Sequence, residues 1–130
     1  MKRLARGILA AMLLAAAGSC SSSSGPVAGV LTVSLRTPNA GADGAILLRV
    51  TGPQALTSLT AGTGLRAFTQ PLSTVTKVAL TGPLTNGAIL TFGVADVGQA
   101  AQYSASIQGV AASNDFQLRS LAGYHLTVSQ

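Results

Sequence analysis

The sequence contains no glutamate and no tryptophan, and it has one histidine and one cysteine; 8% of its 130 residues are charged. Each shortage removes a class of function. Solvent-exposed helices draw heavily on Glu and Lys. With no Glu and a single Lys beyond residue 2, long surface helices are not expected. A lone cysteine excludes a disulfide framework within the chain. His125, Asp43, Asp96 and Asp115 are a sparse set for proton transfer, nucleophilic attack or metal binding. The formal charge of +5 suggests a basic protein, yet Lys2, Arg3 and Arg6 supply three of the eight cations. The others, Arg36, Arg49, Arg66, Lys77 and Arg119, are scattered. A nucleic-acid footprint needs a basic stripe, usually with stacking aromatics, so no nucleic-acid partner is expected.

What is present begins with a short positive segment, MKRLARG, followed by an unbroken apolar run of ten residues, Ile8 to Ala17. A spanning helix needs roughly 20 such residues. The run instead fits the apolar region of a secretory signal. Ala17-Gly18-Ser19-Cys20 follows, and this resembles the lipobox of bacterial lipoproteins. The resemblance implies removal of residues 1–19, a diacylglycerol on the Cys20 thiol and an acylated amino group on the same residue. The partner would then be a membrane, reached through the lipid on Cys20. It also implies a cell-envelope location, the outer membrane in a Gram-negative cell, where a Ser after the Cys usually accompanies such sorting. Ala15-x-Ala17 offers an ordinary cleavage site as the alternative, which leaves Cys20 as a free thiol. Residues 20–28, which include SSSSGP, read as a flexible tether.

From residue 29 onward, apolar and polar residues alternate, the mark of half-buried strands. Leu31, Val33 and Leu35 share one face, as do Ile46, Leu48 and Val50, and Thr76, Val78 and Leu80 in a strand expected over Thr74 to Thr81. Leu90, Phe92 and Val94 form another such set, and so do Tyr103, Ala105 and Ile107. Shorter strands are expected at Leu56 to Thr60, Leu65 to Gln70 and Phe116 to Leu118, with a last one at Tyr124 to Val128. Turn-forming clusters separate them, among them Pro38 to Gly44, Gly62-Thr63-Gly64 and Asn86-Gly87. Val97 to Ala101 has room for one helical turn. About eight or nine short strands at roughly ten-residue spacing predict an all-β fold, an antiparallel β-sandwich over residues 29–130.

The order of strands and turns resembles cohesin-like and related carbohydrate-binding β-sandwiches. An Asn- and Gly-bearing turn leads into GAILLRVTGP, and NGAILTFGV and a Tyr103 strand come later. The resemblance implies a binding or scaffolding module without catalysis, with an envelope protein or a glycan as partner. It carries over no functional residue. A carbohydrate-binding module is the alternative reading, and an envelope hydrolase the third.

The residues refine these expectations. His125 alternates away from the face of Tyr124 and Leu126 and is expected to be exposed, and no G-x-S-x-G elbow accompanies it. Asn39, Asp43, Asp96, Asn114 and Asp115 fall in turns that could offer oxygens to calcium, but no D-x-D-x-D cluster is present. Making turns is their ordinary use. No metal and no cofactor is expected. Phe68 is the aromatic expected to be exposed. Lys77, between Val75 and Ala79, stands on a strand face that could dock a protein or be the second side of a central strand. Phe68 and Lys77 are therefore the candidate binding residues.

Overall fold

The computed structural model describes residues 25–130. The expected signal segment, Cys20 and most of the tether lie outside them. The described chain is all-β. Its strands are β1 (Gly29–Arg36), β2 (Asp43–Thr51), β3 (Ser58–Ala61), β4 (Arg66–Leu72), β5 (Val75–Leu84), β6 (Gly87–Val94), β7 (Ser104–Ala112) and β8 (His125–Ser129). They form two antiparallel four-stranded sheets, in the orders β3-β6-β1-β8 and β4-β5-β2-β7. Only β4 and β5 are consecutive in sequence and paired; every other pairing joins strands distant along the chain.

The inward faces of the two sheets share one core. Leu31 and Val33 of β1, Leu90, Phe92 and Val94 of β6, Ile46, Leu48 and Val50 of β2, and Val78 and Leu80 of β5 are buried in it. These are the sets that the period-two alternation picks out, because successive side chains of a strand point to opposite faces. Tyr103 closes one end. Its ring lies 5.8 Å from that of Phe92 at 47° and over Gly52, where any side chain would collide with it. A 3-10 helix, Val97–Gln102, leads into β7 and is capped by the Asp96 carboxylate, which accepts from Gly98 N at 3.0 Å.

Three expectations need correction. Phe116 to Leu118 is not a strand: only Leu118 forms a bridge, to Ala111, and Phe116 has φ of +55°. β5 does not stop at Thr81 but continues through Gly82-Pro83 to Leu84. Gly82 adopts φ of +126°, and the facing strand shifts register between Asp43 and Ala45, which accommodates a proline that cannot donate to the ladder. Asp43 belongs to β2 and is fully buried, where the sequence suggested an exposed turn.

The β4–β5 connection is a two-residue loop, Ser73-Thr74, with Ser73 at φ of +61°. Such loops favour glycine at a first position of positive φ. Ser73→Gly is therefore expected to raise stability by about 1 kcal/mol, read as a higher midpoint of thermal unfolding. A lower midpoint would contradict this account of the turn.

Candidate functional site

The outward face of the β4-β5-β2-β7 sheet is built from cross-strand rungs. One runs Gly109–Leu47–Ala79–Phe68, and the next runs Ser106–Arg49–Lys77–Gln70. On the other side of the Leu47 rung lies Ala111–Ala45–Thr81–Arg66, and Leu118 extends it by pairing with Ala111. The apolar side chains here are open to solvent. Leu47 is 43% exposed, Phe68 56%, Leu72 47% and Leu118 82%. These are four of the eight large apolar side chains that are exposed among the described residues. Leu72, opposite Val75, is set apart from the other three by the Gln70–Lys77 rung; scattered surface apolar residues are ordinary, while contiguous ones are the less usual case.

The face is concave. A groove of about 310 Å³ is floored by Ala45, Ala79 and Gly109 and walled by Leu47 and Leu118. A second, of about 230 Å³, runs between Leu47, Phe68 and Lys77. Leu47 and Ala79 border both, so the two grooves adjoin. Phe68 and Lys77 therefore come together in one groove. Phe68 is exposed, while Lys77 is half-buried. Sequence reasoning did not bring Leu118 to this face, because its place depends on the Ala111 bridge and not on local alternation.

The face carries positive charge. Arg49 and Lys77 are directly opposed on adjacent strands, and Arg66 stands on β4 two residues before Phe68. Like charges placed opposite each other in a sheet destabilise it. Arg49 Nε is shielded from solvent and has no hydrogen-bond partner among the described residues.

A second cluster anchors the border of this face. The Asp43 carboxylate accepts from Thr37 Oγ1 at 2.6 Å, from Tyr124 OH at 2.9–3.0 Å and from Arg119 Nε at 2.7 Å. Tyr124 OH in turn accepts from Asn39 Nδ2 at 2.9 Å, and Arg119 also donates to Ala42 O at 3.2 Å. This network ties the 37–42 turn to the 113–124 loop, and so fixes the segment that carries Leu118. With all its donors supplied by protein, Asp43 is a structural anchor.

The other candidates do not converge. Asp96 caps the 3-10 helix, and Asp115 accepts from Gln117 N within its own loop. No group of three metal-ligating side chains occurs among the described residues. His125 is exposed in a cleft lined by Ser34, Arg36, Asn86 and Thr127, with no carboxylate in the lining. Phe68 lines the groove beside Leu47 and Lys77, whereas the exposed Phe116 lines a separate hollow with Gly44, Thr81, Gly82 and Pro83. Comparison of the chain with protein-family models, with curated proteins and with solved structures returns no match.

Proposed function

We propose that this chain is a lipid-anchored envelope lipoprotein whose β-sandwich is a non-enzymatic docking or scaffolding module, cohesin-like in character. Its partner would seat on the outer face of the β4-β5-β2-β7 sheet. The observation that carries the docking reading is the grouping of Leu47, Phe68 and Leu118 around adjoining grooves of one sheet face. The anchoring half rests on the signal-like segment and Cys20. A protein surface suits the face better than a glycan does. Sugar rings stack on neighbouring aromatic side chains, and Phe68 is the one aromatic side chain lining the two grooves, with Phe116 in a separate hollow.

The test is site-specific photocrosslinking in the producing cell. A crosslinking residue at Phe68 or Leu118 is expected to trap a defined protein partner. The same residue at Thr127, on the outside of the opposite sheet, is expected to trap none. Leu47→Asp should abolish crosslinking from Phe68 and shift the unfolding midpoint by no more than a few degrees, because Leu47 is already solvent-facing. Equal crosslinking from both sheets, or none from either, would sink the docking reading.

A further inference from the structure

We infer that the occupant of this face is an extended, acidic protein segment with an apolar side chain set between two carboxylates; the inference rests on the docking reading above. Three of the five cations beyond Cys20 gather here: Arg49, Lys77 and Arg66. None of the three carboxylates accompanies them. Asp43 is consumed by Thr37, Tyr124 and Arg119, Asp96 by the 3-10 helix, and Asp115 by its own loop. Among the described residues the only carboxylate–cation pair is Asp43 with Arg119. The central strands therefore hold Arg49 beside Lys77 at a cost to folding that no intramolecular anion offsets. Opposite charge from a partner removes that repulsion and directs the encounter.

The charge argues against the same face of a second copy of the chain, which would set cations against cations. The shape argues against a bilayer. The floor of Gly109, Ala45 and Ala79 is recessed between Leu47, Phe68 and Leu118, so it receives a side chain where an inserting surface would project one. The rungs supply the spacing. Outward positions along a strand recur every two residues, about 7 Å apart. The apolar Leu47–Ala79 rung has Arg49 and Lys77 on one side and the rung of Arg66 on the other. An extended chain lying along the strands meets this pattern with acid-x-apolar-x-acid.

The test is an NMR titration of the full chain in uncharged detergent micelles. The probes are the peptide Gly-Asp-Ser-Phe-Ser-Asp-Gly, its counterpart with Lys for Asp, and its counterpart with Ser for Phe. The acidic Phe peptide is expected to shift amides of β2, β4 and β5. It should bind at least tenfold more tightly than either counterpart. The double variant Arg49→Gln, Lys77→Gln should erase that preference without lowering the unfolding midpoint, since it also relieves the like-charge pair. If the Lys peptide binds as well as the acidic one on the same amides, the acidic inference fails and the docking reading survives. If no peptide perturbs the face, the inference fails, and the crosslinking above separately decides the docking reading. Displacement of the acidic peptide by micelles containing phosphatidylglycerol, with the lipid shifting the same amides, overturns the inference in favour of a membrane surface.

Discussion

Asp43→Ala is expected to lower the stability of the domain by about 3 kcal/mol, because it strands three donors at once. The carboxylate is fully buried, and Thr37 Oγ1, Tyr124 OH and Arg119 Nε all lie within 3.0 Å of it. Thr37 and Tyr124 are themselves buried, so their hydroxyls have little water to turn to. The Arg119 side chain is 27% exposed and can rotate toward solvent, which keeps the effect below that of a fully enclosed ion pair. For a domain of this size, about 3 kcal/mol corresponds to a fall in the unfolding midpoint on the order of 15 °C. Asp43→Asn should fall less, since an amide oxygen still accepts from Thr37 or Tyr124. Arg119→Met combined with Asp43→Ala should be clearly less than additive, as expected for members of one network. A midpoint within a few degrees of wild type for Asp43→Ala would show that the network is not what holds the 113–124 loop.

The second large effect concerns the proposed anchor and is nearly all-or-none. Two acyl chains are the usual requirement for stable attachment, each buried CH₂ contributing about 0.8 kcal/mol. Beyond Cys20 the chain has five cations against three carboxylates, and so small an excess binds anionic lipid weakly. Cys20→Ser is therefore expected to move the protein from the membrane fraction to the soluble envelope fraction, or to leave it as unprocessed precursor. The sandwich should be unaffected, because both sheets are built from Gly29 onward. Mass spectrometry of the wild-type mature protein should find an acylated Cys20 at its amino terminus. An intact mature species beginning at Gly18 with an unmodified thiol defeats the lipoprotein reading.

Much of the sandwich was legible because strand alternation is a local signal. Leu31, Val33 and Leu35, or Thr76, Val78 and Leu80, declare their inward face within seven residues, and the structure buries each of them. His125 likewise stands exposed, as its alternation with Tyr124 and Leu126 requires. What was not legible depends on distant partners. Asp43 sits among Gly and Asn and reads as a turn residue. Its burial is made tolerable only by Arg119 and Tyr124, 76 and 81 positions away. Phe116 and Leu118 imitate a strand by their spacing, yet the 113–124 loop is shaped by that same anchor and by a single bridge. Of the proposed docking face, Phe68 and Lys77 were visible as candidates. Their meeting with Leu47 follows from the register of β4 on β5 and of β5 on β2, which no local pattern encodes.

The strand order has a consequence for how this chain reaches its fold. β1 is flanked by β6 and β8, so its two edges are completed by segments that begin at Gly87 and His125. During synthesis from the amino end, β1 emerges first and stays unpaired on both sides until those segments follow. The β4–β5 hairpin is the only pairing of consecutive strands, and β2 can join it once β5 has emerged. All-β domains dominated by such distant pairings fold in milliseconds to seconds, slower than helical domains of equal length. That delay leaves the chain's apolar strands uncovered for longer. The topology thus makes the interval before closure the period of greatest exposure to aggregation.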